Sequence, residues 1–267
     1  MNRKSLKDRA KIIQLLVEGN SLRSISRIAD CSINTVTKLL IDVGKACAVY
    51  QDHHLVNLPC KRIEVDEIWS FVYAKRHRVP EGKEDTAGDI WTWVAICPDT
   101  KLIPTWLLGG RDAETAKDFM SDLAGRMSDR IQLTSDGFPK YRDAVEHAFG
   151  SEVDYAMLVK LYDEEGKRRQ KYLGSIRSAQ VGLPDLRKAT TAHVERQNLT
   201  MRMSMKRFHR KTNAFSKKVE NHCHAIALHF MHYNFCRIHG SLKVTPAMMA
   251  GVTDRLWDIE DIAKLVD

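Results

Sequence analysis

Three carboxylates are spaced along the chain in settings that suit metal-dependent phosphate chemistry. Asp66 lies within an alternating stretch, Ile63 to Tyr73, and has no basic neighbour in sequence to neutralise it. Asp136 follows a short apolar run, Ile131 to Thr134, and precedes Gly137-Phe138-Pro139; the carboxyl end of such a strand is where the crevice of an α/β sheet lies. Glu195 opens a basic helical segment that continues Arg196, Gln197, Asn198, Leu199, Thr200, Met201, Arg202. Singly, each has an ordinary explanation: an edge-strand acid, a turn-forming Asp, a first-turn Glu favoured by the helix dipole. Converging on one crevice, three carboxylates can hold two divalent ions about 4 Å apart, one activating the attacking oxygen and the other stabilising the leaving oxygen of an in-line displacement at phosphorus. Oxygen donors of this kind suit Mg²⁺. Asn198 and Arg202 follow Glu195 by three and seven residues, so one helix face would present a metal ligand, a neutral donor and a phosphate clamp.

The elements that must position these groups follow from hydrophobic period. In the first stretch Ile63, Val65, Trp69, Phe71 and Tyr73 point one way and Glu64, Asp66, Ile68, Ser70 and Val72 the other, which predicts a strand. Ile90 to Cys97 is apolar on both faces and reads as a central strand, and Pro98-Asp99-Thr100 turns it into a third strand over Leu102 to Leu108. Residues 113 to 127 place Ala116, Phe119, Met120 and Leu123 at helical spacing. A short buried strand over 131 to 134, a helix from Tyr141 to Phe149 and a strand from Tyr155 to Leu161 come next, with further helices from Leu199 and from Val219 to Tyr233. Three meandering strands followed by alternating helix and strand imply an α/β fold: a mixed sheet with helices on its faces.

The first fifty residues have a different pattern. Leu6, Ala10, Ile13 and Val17 fall at helical spacing, Gly19-Asn20 stops that helix, and Ser21 caps a short one bearing Leu22, Ile25 and Ile28. After the turn Ala29-Asp30-Cys31, Ser32 caps a third short helix with Val36, Leu39, Leu40 and Val43 inward. This is an all-α helix-turn-helix pattern, and its apolar stripes are expected to close a small core of their own. In that geometry Asn34, Thr35, Thr37 and Lys38 face base edges and phosphates, while Arg23 and Arg27 grip the backbone. A generic three-helix bundle that binds nothing is the alternative. Charge favours DNA: the net +8 is concentrated in these fifty residues and in a run from Lys160 to Lys218 that includes Lys167, Arg168 and Arg169.

No stretch approaches the roughly twenty consecutive apolar residues of a membrane helix. The six cysteines include no Cys-x-x-Cys pair, so neither a disulfide framework nor a zinc ribbon is encoded, and a reducing cytoplasm is the expected setting. His222, His229, His232 and Cys236 share a helical face, yet one straight helix rarely closes a tetrahedron and a packed helix is the better reading. Trp69, Trp91, Trp93 and Trp106 lie within the strands and are expected in the core.

Taken together, Val65-Asp66-Glu67-Ile68-Trp69-Ser70-Phe71, Thr134-Ser135-Asp136-Gly137, and His193-Val194-Glu195-Arg196 with Asn198 and Arg202 resemble the DDE transposases of bacterial insertion sequences, specifically the insertion-sequence-one family. The segment Tyr233-Asn234-Phe235-Cys236-Arg237-Ile238-His239-Gly240-Ser241-Leu242, then Thr245-Pro246-Ala247, is similar to the closing part of such enzymes. The resemblance implies a ribonuclease-H-like sheet with Asp66, Asp136 and Glu195 as catalytic metal ligands. It also implies two Mg²⁺ ions, with Mn²⁺ able to substitute, and cleavage and joining of double-stranded DNA at element ends and target. A homodimer or larger assembly on DNA, in the bacterial cytoplasm at the nucleoid, goes with it. The corresponding division is a helix-turn-helix domain at 1–50, a catalytic domain at 60–250 and a tail at 251–267. Fuller members carry an N-terminal zinc-binding portion that no Cys-x-x-Cys encodes here. A nuclease that cuts without joining, and a DNA-binding regulator with structural carboxylates, remain as alternatives.

Overall fold

The computed structural model describes residues 4–163 and 171–267; Lys167, Arg168 and Arg169 lie outside them. Six strands form one sheet: β1 (Arg62–Val72), β2 (Gly88–Ile96), β3 (Trp106–Gly109), β4 (Ile131–Asp136), β5 (Val153–Tyr162) and β6 (Tyr172–Val181). Their order is β3-β2-β1-β4-β5-β6. The pairings of β1 with β4 and of β4 with β5 are parallel, and β6 returns antiparallel to β5. The first three strands are successive neighbours; α4 (Ala113–Arg126) leads from them into β4, and α5 (Lys140–Phe149) connects β4 to β5. This is the mixed, helix-flanked sheet that the sequence pattern implies.

The described chain divides into two compact units. One comprises Val56–Ile68 and Thr92–Gln197; the other comprises Met1–Leu55, Trp69–Trp91 and Asn198–Asp267. In the first, Ile63, Val65, Leu133, Val153 and Tyr155 build the sheet's interior, and Trp93 meets Phe119, Phe138 and Tyr141 at ring-centroid distances of 5.4–6.0 Å. Trp93 is wholly buried and its indole N–H donates to the Gly110 carbonyl, so the apolar body is packed and the polar edge satisfied. Trp69, Trp91 and Trp106 are only half-buried, which corrects their expected place in the core.

The second unit is built on α1 (Leu6–Val17), α2 (Leu22–Ile28), α3 (Ile33–His54), α7 (Val219–Met231), α8 (Pro246–Met249) and α9 (Ile259–Lys264). Ser5, Ser21 and Ser32 each accept a backbone N–H three residues on, which starts α1, α2 and α3 where the sequence places them. Two expectations need correction here. The third helix is not short: it runs 22 residues, to His54. Nor do the N-terminal helices close a core of their own. Arg9 donates to the Ala263 carbonyl (3.1 Å) and pairs with Asp267 (2.5 Å), and Gln51 donates across to the Ala227 carbonyl (3.1 Å). At Gly44 a Cβ would stand 2.4 Å from that of His224, so α3 and α7 approach closely only because this residue is glycine.

Smaller differences have local causes. β3 begins at Trp106, because Leu102 and Ile103 form the buried end of a tight hairpin in which Cys97 N–H donates to the Leu102 carbonyl. β6 was not foreseen, since no face of Tyr172–Val181 is apolar enough to announce a strand and its residues are at most half-buried. His222 lies between the Ser70 and Ser216 hydroxyls (3.1 and 2.8 Å), as a packed helix requires. No described helix is long and apolar enough to cross a membrane.

A candidate carboxylate metal centre

Parallel pairing carries β1 and β4 to Val65 opposite Ser135, so Asp66 and Asp136 are the next residues on adjacent strands and leave the sheet by the same face. One ligand oxygen from each of Asp66, Glu67 and Asp136 falls within 4.8 Å of the others, forming a single acidic cluster suited to a metal. Two short bonds orient the aspartates: Glu67 N–H donates to Asp66 Oδ1 and Phe138 N–H to Asp136 Oδ1, each at 2.9 Å.

Glu67 differs from both aspartates. Its Oε1 accepts from Arg111 Nε (2.6 Å) and its Oε2 from the Tyr141 hydroxyl (2.8 Å), so each oxygen is already engaged. Its side chain is 2% exposed, against 40% for Arg111, whose guanidinium lies 4.3 Å from the Phe138 ring centroid. A buried carboxylate needs such donors.

Glu195 sits in the first turn of α6 (Ala192–Ser204), outside the 4.8 Å cluster. Its Oε1 receives Lys160 Nζ from β5 and the Thr191 hydroxyl, both at 2.5 Å. The start of α6 is tied to β1 by Glu64, which is buried and accepts the backbone N–H groups of His193 (2.8 Å) and Val194 (3.2 Å) and the His193 imidazole (2.7 Å). Two of the helix's otherwise unbonded N–H groups are thereby satisfied from the strand that carries Asp66.

The electrostatics follow from burial and like charge. Asp66 is raised to about 7, first by burial, then by Glu67 and Asp136, with Glu195 adding a smaller push. Burial also raises Asp136, against the opposing Phe138 N–H and Arg111, and raises Glu67, where Asp136 adds to the effect and Arg111 and Tyr141 resist it. Carboxylates forced together in this way are relieved by a proton or by a cation. Their oxygen-only donor set fits a hard divalent ion such as Mg²⁺, and that fit supports a metal-binding catalytic site.

Of the other residues singled out, Asn198 is buried and Arg202 half-buried on α6, at the helical spacing the sequence implies. Arg23, Arg27, Asn34 and Lys38 are exposed. Lys38 pairs with Asp42 (2.5 Å), Thr37 donates back to the Ile33 carbonyl, and the Thr35 hydroxyl shares a hydrogen bond with Ser32. Sequence reasoning passed over Glu64, Glu67, Arg111, Tyr141 and Lys160. A signal existed for Glu67: by parity it falls on the face of Ile63, Val65 and Trp69, where an acid demands partners. Arg111 and Lys160 carried none, because both meet their carboxylates only through the fold.

Comparison with known proteins adds an independent line. The family described as IS1 transposase matches residues 178–236, a segment that contains Glu195, Asn198 and Arg202. The insertion element iso-IS1n protein InsB of Shigella dysenteriae is 29% identical over 159 residues, covering 60% of this chain and 86% of that protein. Among solved structures, a pre-cleavage Mos1 transpososome aligns over 58% of this chain and 60% of its own at 13% identity and a TM-score of 0.22. The Mos1 strand transfer complex aligns over 86% and 76% at 12% identity and 0.26. Those two likenesses are too weak to bear on the argument. The matched segment, which carries Glu195, and the likeness to InsB make the chain similar to the transposases of insertion-sequence-one elements.

Proposed function

We infer that this protein is a DNA transposase that cuts DNA at the ends of an insertion sequence and joins the freed 3′-hydroxyls to target DNA by metal-dependent phosphoryl transfer. The observation that carries this reading is the side-by-side placement of Asp66, within β1, and Asp136, at the end of the parallel β4, with both carboxyls raised by burial and that of Asp66 raised further by Asp136. When bound, two Mg²⁺ ions, or Mn²⁺ in their place, supply Lewis-acid activation of the attacking oxygen and charge stabilisation at the leaving oxygen. Asp66 and Asp136 act as ligands, and Glu195 completes the catalytic set from α6, oriented by Lys160 and Thr191. Glu67 works from behind them, holding Arg111 and Tyr141 in place. Asn198 and Arg202 contact DNA near the reacting phosphate.

DNA contact extends to the N-terminal helices of residues 1–50, where Arg23, Arg27, Asn34, Thr35, Thr37 and Lys38 lie at the helix-turn-helix; the division into 1–50 for DNA binding, 60–250 for catalysis and 251–267 as a tail is proposed as one of function, since α1 and α3 share their core with α9 and α7. Asp30 turns the chain between α2 and α3 at φ +44°, and Ser26 Oγ donates to the Cys31 carbonyl (2.6 Å), which holds that turn. A homodimer or larger assembly on DNA is proposed because two ends must act in concert. Val159, Leu161 and Ile176, on one face of β5 and β6, give an exposed apolar surface for it.

The test is cleavage of DNA bearing the element's terminal repeats, with Mg²⁺ or Mn²⁺, beside a gel shift of the same DNA in EDTA. Metal-dependent cleavage followed by joining is expected. Cleavage without joining would move the reading to a nuclease, and binding without cleavage to a regulator.

A further inference from the structure

Within the helical unit, a cleft of about 360 Å³ opens where the end of β1 and the loop after it meet residues 210–215. Its apolar walls are Phe71, Tyr73 and Phe215; Phe71 and Phe215 lie with ring centroids 5.2 Å apart at 35°. Around them stand Lys75, Arg78, Arg210 and Lys211, and none of the ten lining residues is an acid. Among the described residues none of these four cations is ion-paired. Lys75 instead rests over the Trp69 and Phe71 rings at 5.7 and 5.9 Å. Tyr73 is held at φ +65°, an unfavourable conformation for a bulky side chain, by its N–H bond to the Ser216 carbonyl (2.7 Å). Strain of this kind recurs where a ligand is clamped.

We propose that this cleft binds one unpaired nucleotide of a DNA strand, its base against the aromatic walls and its flanking phosphates on the cationic rim. The proposal rests on DNA being the substrate and adds a site that the carboxylate centre does not need for its chemistry. Three features select this occupant. Aromatic faces interleaved with cations are what single strands use, because an unpaired base exposes a π-face that a duplex keeps stacked. The volume falls within the roughly 300–1,000 Å³ that holds a small molecule, too small for a base-paired duplex. The uncompensated positive charge selects a phosphate-bearing ligand over a neutral aromatic one.

The experiment uses the full chain in EDTA, a thymidine oligonucleotide carrying a central 2-aminopurine, and a duplex of equal length. Binding of the single strand should quench the 2-aminopurine. Phe215→Leu, which keeps an apolar side chain against Phe71 but removes the π-face, should abolish the quench and weaken single-strand binding about tenfold, with duplex binding changed less than twofold. Phe215→Trp should restore both signals, which a merely misfolded variant would not allow. Arg210→Ala combined with Lys211→Ala should lower the salt dependence of single-strand binding by about one and a half units of slope. Unchanged quenching in Phe215→Leu would overturn the proposal, as would equal weakening of single strand and duplex, the signature of a surface that reads charge alone. Metal-dependent cleavage by the unmodified protein is measured separately: its absence would remove the transposase reading and leave the binding result standing.

Discussion

The carboxylate centre and the basic surfaces hold charge in opposite ways. At the centre, few charges are buried on adjacent strands, so each one perturbs the others and Asp66 is pushed to about 7. Along α2, α3 and the aromatic cleft, cations stand in solvent on helices and loops, and exposed pairs such as Lys38 with Asp42 contribute little. On the proposed function, chemistry depends on two or three irreplaceable groups, whereas DNA affinity is spread over many that each add a small, salt-screened increment.

The largest expected effect is at the centre. Asp66→Ala, Asp136→Ala and Glu195→Gln should each lower cleavage by on the order of 10³-fold or more, since on the proposed function each removes a metal ligand and transition-state charge stabilisation. A gel shift in EDTA should be unchanged or slightly tighter, because a negative charge near phosphate is lost. Substantial cleavage by the Asp66 or Asp136 variant would erase the contrast drawn here. Next comes Glu67→Gln, which keeps the shape but weakens the hold on Arg111. By analogy with outer-shell substitutions, a loss of about 10- to 100-fold in Mg²⁺ affinity or rate is expected, read from Mg²⁺ titration of cleavage. An unaltered titration would reduce Glu67 to packing.

The raised acids also set a pH dependence. Asp66 has a higher pKa folded than unfolded, so without metal its contribution to stability is complete below about 4 and is lost as pH rises through about 7. A divalent ion replaces the proton and cancels the loss. The rise in melting temperature on adding Mg²⁺ should therefore be larger at pH 8 than at pH 5.5, and Asp66→Asn should abolish most of that difference. An equal rise at both pH values would argue against a metal at this cluster.

Two smaller effects test the supports. Glu64→Ala strips the start of α6 of its acceptors and should cost about 0.5–2 kcal/mol, a fall of several degrees in melting temperature, with cleavage reduced because Glu195 is less well held. Arg27→Ala or Lys38→Ala should each reduce the salt slope of DNA binding by about one unit and leave single-turnover cleavage at saturating protein unaltered. Point substitutions are preferred to deleting residues 1–50, since Arg9 packs on α9 and Gly44 on α7 and a truncation would uncover that core.

Much of this was legible in the residues. Serine caps at Ser5, Ser21 and Ser32 start their helices through local hydrogen bonds, and the alternation around Asp66 makes a strand whatever it packs against. β6 was illegible because its strand character comes from pairing with β5 rather than from an apolar face. The length of α3 was obscured by Gln51, Asp52, His53 and His54, which look like a polar connection until Gln51 finds the Ala227 carbonyl.

The sequence by itself determined the local elements, the positions of Asp66, Asp136 and Glu195 within them, and the two basic zones, because caps, hydrophobic period and charge act over a few residues. The tertiary structure alone decided that β1 pairs with β4 so that two aspartates become neighbours, that Glu67 turns inward to Arg111 and Tyr141, that Lys160 meets Glu195, and that Phe71 and Phe215 pack together in the wall of a basic cleft. Those partners lie tens to more than a hundred residues apart. Their energies of pairing come from desolvation and like-charge proximity, quantities that do not exist until the sheet and the helices have closed around them.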